Sequence, residues 1–228
     1  MNRIVRRKSK VNSNKKTGKY GRKTNKKKRK IVRWPVTVLA VIFILIYGML
    51  TMGRKISEER IERENFEKNS FISKIEKTAV NEYSKSGILP SITISQAILE
   101  SNWGTSKLAT EGNNLFGIKA DRSWNGDRIN FNTKENYDDY VYADFRKYSS
   151  WEESVIDYTN FLKKNKRYEK HGMFETRNYE KQAKSLEDAG YATAENENGE
   201  KVYAERLIRI IEKYNLKKYD VEAINNKY

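Results

Sequence analysis

The sequence predicts an α+β fold that is mainly α, with a small antiparallel β lobe, preceded by a single transmembrane helix. Three observations support this class. Apolar side chains recur every three or four positions through most of residues 70–217, the period of helices that bury one face. Strand-forming residues are concentrated in residues 121–148, around a turn cluster. Residues 34–53 carry no charge over 20 positions, enough for a membrane-spanning helix.

The first element is a basic arm at residues 1–33. It holds 16 of the 46 Lys and Arg residues and no acidic residue. It has almost no apolar side chain between Val11 and Lys30, so we expect it to be disordered, because it cannot bury enough surface to offset its chain entropy. The formal net charge of +16 is that of the arm, since the rest of the chain has 30 basic and 30 acidic residues.

The uncharged run at residues 34–53 lies between Arg33 and Arg54. At about 1.5 Å per residue, a helix of this length spans roughly 30 Å, the hydrocarbon thickness of a bilayer. A cleaved signal peptide is the competing interpretation, but its apolar core is shorter and ends in small residues, whereas Tyr47 and Met49 are bulky. Positive charge before the run predicts a single-pass protein of the cell membrane, with a cytoplasmic N-terminus and an extracellular domain.

Residues 54–69 are highly charged and favour helix, which predicts a solvated helical stalk. The folded domain follows at residues 70–217, a usual length for one domain, and residues 218–228 are expected to form a C-terminal tail. Within the domain, helices are predicted at residues 71–86, 92–103, 151–162, 178–187 and 202–214. Ser150 and Glu153 have the spacing of a capping box at the start of the third of these helices.

Composition excludes several classes of chemistry. The chain has no Cys and a single His, His171, so thiol nucleophiles, Cys-ligated zinc and two-His metal sites are excluded. His171 stands in a polar run typical of a surface loop, which argues against a Ser/His/Asp triad. We therefore expect no metal or cofactor, and an enzyme that works with carboxylates, tyrosines and hydroxyl groups.

Glu100 is the one charged residue among the 21 residues from Ser86 to Ser106. On a helical wheel, Thr93, Gln96 and Glu100 form a narrow polar wedge on an otherwise apolar helix, so the wedge must face a cleft or a polar partner. An apolar surround raises the pKa of a carboxyl group, which then holds a proton that a general acid can donate. The alternative is a buried Glu that is paired with a cation or caps backbone amides.

Amides and aromatic side chains follow Glu100. Asn102 and Trp103 stand almost directly after it, and Asn114 and Phe116 lie further along, among close-approach glycines. Carbohydrate sites are commonly built from such groups, because sugars present hydroxyl groups around apolar ring faces. The stretch therefore favours a glycan as the substrate.

Six runs of residues carry a family resemblance. They are residues 95–104 (SQAILESNWG), 114–120 (NLFGIKA), 133–135 (TKE), 145–150 (FRKYSS), 190–193 (GYAT) and 203–207 (YAERL). Together they resemble the glucosaminidase domain of bacterial cell-wall hydrolases, glycoside hydrolase family 73. The runs follow the family's order across about residues 70–216, so the resemblance covers essentially the whole predicted domain.

The resemblance implies a lysozyme-like α+β fold, with a groove between a helical body and a small β lobe. It also implies hydrolysis of the β-1,4 bond between N-acetylglucosamine and N-acetylmuramic acid in peptidoglycan, with Glu100 as the catalytic acid. Glu135 falls where the family often has a second carboxylate, which would activate water in an inverting reaction. In the alternative, the substrate's own N-acetyl group takes part, and Tyr203 and Tyr191 orient it or stabilise the developing charge.

The predicted substrate-binding residues combine amides with aromatic rings, and Trp103, Phe116 and Trp124 are expected to line the glycan groove. The full set is Gln96, Asn102, Trp103, Asn114, Phe116, Trp124 and Tyr191. Two stretches depart from the family pattern. Residues 194–202 are longer than the usual linker before the tyrosine, and residues 136–139 replace the common Tyr and Gly after the second carboxylate.

The predicted partners are peptidoglycan glycan strands, the membrane through the single span, and anionic lipid beside the basic arm. Nucleic acid is disfavoured as a partner, because the arm has the charge but no folded reader accompanies it. Two other functions stay open from the sequence. One is a muramidase or lytic transglycosylase acting on the same glycan, and the other is a catalytically inactive, membrane-tethered module for wall binding or assembly.

Overall fold

The computed structural model describes residues 34–135, 139–192 and 195–226, with side chains except at residues 34, 35, 132–135 and 139–141. The predictions for the basic arm and for residues 136–138 lie outside the described residues. The described part confirms the mainly α class with a small antiparallel β lobe.

The elements follow one another as helices interrupted by a single hairpin. They are α1 (Trp34–Ser86), α2 (Pro90–Ser101), α3 (Lys107–Gly112), β1 (Arg128–Glu135), β2 (Asp139–Arg146), α4 (Trp151–Lys164), α5 (Lys166–Lys170), α6 (Tyr179–Asp188), α7 (Tyr203–Lys213) and α8 (Lys217–Asn225). The five predicted domain helices are all present, within a few residues of the expected bounds.

Helix α1 contains the predicted span, the predicted stalk and the first domain helix in one continuous run. The chain divides into two compact units, of which the first ends at Arg54 and the second begins at Lys55. Among the described residues, α1 is the one helix that is long and apolar enough to cross a membrane by its length and composition. Residues 36–67 are exposed, and the burial of the domain begins near Phe71.

Helix α2 forms the centre of the second unit. It is buried from Pro90 to Ile98 and again at Ser101, and it contacts α6, α7 and α8. Leu89 precedes it without a side-chain cap, and Pro90 opens its first turn, where a missing N–H costs no hydrogen bond. The nearly complete apolar burial of α2 explains why this part of the sequence contains so little charge.

The end of α2 is a left-handed turn. Asn102, Trp103 and Gly104 have φ values of 48°, 60° and 73° in succession. The turn is fixed by Ser101, whose hydroxyl accepts a hydrogen bond from the amide of Gly104 at 2.7 Å. Helix α2 therefore ends two residues before the predicted end at Trp103.

The β lobe is a two-stranded antiparallel hairpin that pairs Arg128 with Arg146 at its open end and Glu135 with Asp139 near its tip. The amide of Asn114 ties the preceding loop to this sheet, because its Nδ2 donates to the carbonyls of Ile118 (3.0 Å) and Arg146 (2.8 Å). The loop and the hairpin therefore form one wall beside the helical body.

The start of α4 agrees with the predicted capping box in one of its two hydrogen bonds. The hydroxyl of Ser150 accepts from the amide of Glu153 at 3.2 Å, as expected. The Glu153 carboxylate reaches back to Ser149, accepting from its amide and its hydroxyl at 2.7 Å each, rather than to the amide of Ser150.

Three helices are absent from the sequence prediction. Helices α3 and α5 span 6 and 5 residues, too short for an apolar period to repeat. The prediction of a C-terminal tail at residues 218–228 requires a correction, because α8 occupies Lys217–Asn225 and buries Tyr219, Asp220 and Ala223. Helix α8 contacts α2, so the compact domain extends beyond residue 217.

Candidate active site

Glu100 lies in the last turn of α2 and opens onto a cavity of about 480 Å³. It is exposed, although nearly every other residue of α2 is buried. The cavity is lined by Glu100, Phe116, Gly117, Ile118, Lys119, Asp121, Phe161, Arg167, Tyr168, Tyr191 and Ala192. The predicted polar wedge of α2 thus reaches a cleft at Glu100 and stays inside the protein at Thr93 and Gln96.

The carboxyl group of Glu100 is held by a tyrosine from α7. The hydroxyl of Tyr203 donates to Glu100 Oε1 at 2.7 Å and accepts from Gln96 Nε2 at 2.8 Å. The amide oxygen of Gln96 in turn accepts from the hydroxyl of Tyr158 on α4. Three elements of the helical body therefore meet in one chain of hydrogen bonds that ends on Glu100.

Burial raises the pKa of Glu100 above its usual range, and the hydrogen bond from Tyr203 partly opposes this rise. The side chain is open to solvent on the cavity side, but protein surrounds its carboxyl group closely enough to disfavour the charged form. A carboxyl group in this situation holds a proton at a higher pH than a solvated one, which suits a proton donor.

Aromatic rings form the wall around this hydrogen-bond chain. Phe116 stacks on Tyr158 with ring centroids 3.9 Å apart, and Tyr191 stacks on Tyr203 at 5.5 Å. Burial raises the pKa of Tyr158, Tyr191 and Tyr203 well above the usual value, so all three are neutral hydrogen-bond donors. Phe116 and Tyr191 border the cavity itself, and their predicted contact with a sugar stays a prediction.

Charged groups also border the cavity. The Arg167 guanidinium lies 4.7 Å from the Tyr168 ring and donates to the Tyr168 hydroxyl at 2.5 Å. Hydrogen bonds from the hydroxyl and amide of Ser123 lower the pKa of Asp121, which is therefore ionised near neutral pH. Sequence reasoning missed Arg167 and Asp121, because each stands in a polar run of the kind that usually forms a solvated loop.

Trp124 lies in a second hollow, of about 270 Å³, rather than in the cavity with Glu100. The Arg146 guanidinium sits 4.6 Å from the Trp124 ring and donates to Asp157 at 2.8 Å. Asp121 and Phe161 border both hollows, so the second continues the first. Trp124 is predicted to line the glycan groove, and it lies in the hollow that adjoins the Glu100 cavity rather than in that cavity.

The prediction that Trp103 and Asn102 bind substrate beside Glu100 requires a correction. Both border a different hollow, and the Trp103 ring packs on Phe71 at 5.9 Å and on Tyr214 at 4.7 Å. The prediction places both side chains beside Glu100 because they follow it closely in sequence, but the left-handed turn after Ser101 sends them to another face.

The predicted roles of Gln96 and Asn114 in binding substrate also require correction. Gln96 is fully buried and Asn114 is 1% exposed. The amide of Asn114 is occupied by four backbone groups, since its Oδ1 accepts from the amides of Phe116 (3.3 Å) and Ile118 (3.1 Å) while its Nδ2 donates to two carbonyls. Asn114 thus shapes the loop that carries Phe116.

Glu135 is the last residue of β1, but its side chain lies outside the described part, so its proposed role stays a prediction. His171 is exposed, as its polar surroundings predict. Within the described residues, no group of three or more His, Cys, Asp or Glu residues is placed to hold a metal ion.

The chain matches a glucosaminidase family model and is similar to known cell-wall hydrolases. A family model described as mannosyl-glycoprotein endo-beta-N-acetylglucosaminidase matches residues 76–216. The exo-glucosaminidase LytG of Bacillus subtilis is 34% identical over 200 residues, which cover 85% of this chain and 68% of LytG. Peptidoglycan hydrolase FlgJ of Vibrio parahaemolyticus is 34% identical over 150 residues, covering 63% of this chain and 46% of FlgJ.

A solved structure extends the comparison to the fold. The catalytic domain of the autolysin Auto from Listeria monocytogenes matches with a TM-score of 0.59 and 34% identity, covering 67% of this chain and 87% of that domain. The chain therefore spans two thirds of LytG and about half of FlgJ, and 67% of it has a fold similar to that of a solved catalytic domain.

Proposed function

The chain belongs to the mannosyl-glycoprotein endo-beta-N-acetylglucosaminidase family, glycoside hydrolase family 73, as a peptidoglycan hydrolase, and we propose that it cleaves the bond between N-acetylglucosamine and N-acetylmuramic acid within glycan strands. Glu100 is the general acid of this proposal. The observation that carries it is the position of Glu100, which opens onto an aromatic cavity while burial raises its pKa.

In the proposed reaction, protonated Glu100 donates its proton to the oxygen of the bond that breaks, as the sugar ring passes through an oxocarbenium-like state. The Oε1 atom of Glu100 accepts the hydrogen bond from Tyr203, so the acidic proton belongs on Oε2. Tyr203 is 2% exposed, which favours a role in holding Glu100 over direct contact with the sugar.

Two routes complete the reaction. Either a carboxylate activates water on the opposite face of the sugar and inverts the anomeric carbon, or the substrate's N-acetyl group attacks first and the configuration is retained. Glu135 is the proposed base of the first route by its place in the family, and ionised Asp121 on the cavity wall is a second carboxylate to test. Nuclear magnetic resonance of the newly formed reducing end distinguishes the routes by its anomeric configuration.

We propose internal rather than terminal cleavage of the strand. The hollow beside Trp124 continues the cavity of Glu100 through Asp121 and Phe161, which offers room for sugars on both sides of the bond. Internal cleavage releases products of many lengths early in digestion, whereas terminal cleavage, as the name of LytG describes for that relative, releases only small ones. Size analysis of early products tests this point.

Two cationic side chains on the cavity wall, Lys119 and Arg167, fit an anionic glycan. N-acetylmuramic acid and its stem peptide carry carboxylates, whereas a strand of N-acetylglucosamine alone carries none. Ionised Asp121 on the same wall offsets one of these cations, and with Glu100 protonated the wall keeps a net positive charge. That charge favours peptidoglycan over an uncharged glycan.

The decisive experiment replaces Glu100 with Gln and compares the variant with Glu111→Gln, which changes an exposed carboxylate on α3. We expect Glu100→Gln to fold and to leave a peptidoglycan gel uncleared, and Glu111→Gln to clear it as the wild type does. A folded Glu100→Gln variant that clears the gel would refute the assignment.

The bond is identified by mass spectrometry of the reducing ends. N-acetylglucosamine at the reducing end supports the proposal. Muramic acid would indicate a muramidase, and its anhydro form a lytic transglycosylase. Retention on purified sacculi with no cleavage by any variant would instead indicate a wall-binding module.

We further propose that residues 34–53 of α1 anchor the chain in the cell membrane, with residues 54–69 as a stalk and the catalytic domain outside the cell. The apolar, exposed side chains of residues 36–53 and the basic residues before them support this arrangement. Protease added to intact protoplasts should remove the domain and spare an N-terminal tag, and protection of the domain would contradict the orientation.

A further inference from the structure

We propose that Gln96 and Tyr158 are positioning residues, which act through Tyr203 to keep Glu100 in the geometry that donates its proton. This inference rests on the proposed function, because it takes Glu100 as the general acid. Neither residue lines the cavity itself, and both are fully buried. Their link to the reaction is the hydrogen-bond chain from Tyr158 through Gln96 and Tyr203 to Glu100.

The direction of every hydrogen bond in this chain follows from its end on Glu100. The acidic proton of Glu100 is placed on Oε2, so Oε1 accepts whether the group is ionised or protonated, and the single hydroxyl proton of Tyr203 is committed to it. The Tyr203 oxygen must then accept from Gln96, which turns the amide nitrogen of Gln96 towards α7. The amide oxygen consequently faces α4 and accepts from Tyr158.

Each buried residue of the hydrogen-bond chain restricts the orientation of the residue that follows it towards Glu100. With no donor from Tyr158, the Gln96 amide is free to turn its oxygen towards Tyr203, which would attract the hydroxyl proton away from Glu100. With no amide at position 96, the Tyr203 hydroxyl loses the partner that holds it between α2 and α7. Ring stacking also restrains the two tyrosines of this hydrogen-bond chain, since Tyr158 stacks on Phe116 and Tyr203 stacks on Tyr191.

The titratable and charged groups around Glu100 come from several elements. They are Tyr203 on α7, Tyr158 on α4, Tyr191 after α6, Arg167 and Tyr168 on α5, and Lys119 and Asp121 on the loop after α3. Replacement of Gln96 or Tyr158 leaves the charge of this set unchanged near neutral pH. A change in the pH profile of such a variant therefore reports the geometry at Glu100 rather than a lost charge.

The test uses the full chain in detergent and measures kcat, KM and the pH profile on dye-labelled sacculi. Gln96→Met removes the amide while keeping the side-chain length, and Tyr158→Phe removes one oxygen while keeping the ring that stacks on Phe116. Gln182→Met is the matched control. Gln182 is also fully buried, and it forms hydrogen bonds with the backbone of Leu89, Gly87 and Thr176, but it takes no part in the hydrogen-bond chain that ends on Glu100.

For Gln96→Met we expect kcat to fall by about tenfold to a hundredfold, the order of effect of a misplaced catalytic group, with KM changed less than about threefold. The alkaline limb of the pH profile of kcat should move to higher pH in both Gln96→Met and Tyr158→Phe, because a weakened hydrogen bond from Tyr203 favours the protonated form of Glu100. Gln182→Met should lower the melting temperature but retain the wild-type kcat and pH profile.

Wild-type kcat and pH profile in folded Gln96→Met and Tyr158→Phe would overturn the inference. If Gln96→Met does not fold, Tyr158→Phe decides, since it removes a single atom. Full activity of Glu100→Gln would instead overturn the proposed function, so the two failures are distinguishable.

Discussion

Asp220 of α8 caps the first turn of α2, where its carboxylate accepts from the amide of Ser91 at 2.8 Å and from the hydroxyl of Ser91 at 2.7 Å. The two residues are 129 positions apart in sequence. Helix α2 has no side-chain cap of its own at Leu89, so the C-terminal helix supplies an acceptor for an otherwise unpaired amide at the end opposite Glu100. The segment expected to be a tail thus holds the helix that carries the proposed acid.

Asp220→Asn should flatten the pH dependence of stability between about pH 4 and pH 6. Burial raises the pKa of Asp220 to about 6, above the usual unfolded value of about 3.9. The native state therefore binds the proton more tightly, and wild-type stability falls as the pH rises through this window, by about 3 kcal/mol. Asn cannot titrate, so the difference between the two proteins should show the slope.

Denaturant unfolding of the unit that begins at Lys55, at several pH values, measures this difference. Asp220→Ala is the control at pH 4, where it should lose about 1–2 kcal/mol because the cap is removed. Identical slopes for wild type and Asp220→Asn would contradict the prediction.

Tyr203→Phe should move the alkaline limb of the kcat profile to higher pH. The hydrogen bond from Tyr203 stabilises the carboxylate and lowers the pKa of Glu100 against the effect of burial, so its removal lets that pKa rise further. A general acid works in its protonated form, and the limb marks where the proton is lost. Tyr219→Phe, a buried tyrosine on α8, should leave the limb in place, and a shift to lower pH in Tyr203→Phe would be inconsistent with the assignment.

Gly104→Ala should destabilise the domain by about 2–5 kcal/mol, a sum of left-handed backbone strain and overpacking. The φ of Gly104 is +73°, and a Cβ atom there would lie 2.5 Å from the Trp151 ring and 2.9 Å from the Phe71 ring. Gly199→Ala is the control, since its φ is +76° but nothing lies within 4 Å. Thermal and denaturant unfolding give both values, and equal losses would show that packing at Gly104 contributes nothing.

Arg167→Gln should raise KM for peptidoglycan by about fivefold to tenfold, which corresponds to the loss of about 1–1.4 kcal/mol of binding free energy. The guanidinium is held at the cavity wall by Tyr168 and faces the proposed path of an anionic glycan. Cleavage of uncharged N-acetylglucosamine oligomers should change much less. Arg209→Gln, on the hollow that contains Trp103, is the matched control, and an equal effect on charged and uncharged substrates would rule out charge recognition.

Much of the fold follows from periodicity along the chain. The apolar spacing predicts the five longer domain helices, and strand formers with a turn cluster predict the hairpin, because these patterns report which face of an element is buried. Helices α3 and α5 escape prediction because 6 and 5 residues contain too little of a period. Helix α8 escapes it because only Tyr219, Asp220 and Ala223 of its residues are buried.

The sequence by itself determined the isolation of Glu100 on an apolar helix and, through the family resemblance, pointed to Tyr203. Only the tertiary structure decided which side chains reach the cavity. Three consecutive left-handed residues after Ser101 send Trp103 to another face, and the internal hydrogen bonds of Gln96 and Asn114 withdraw them from the substrate. A pattern along one helix shows that a face is buried, but the partner that covers it depends on turns and on helices more than 100 residues away, as the bond between Tyr203 and Glu100 illustrates.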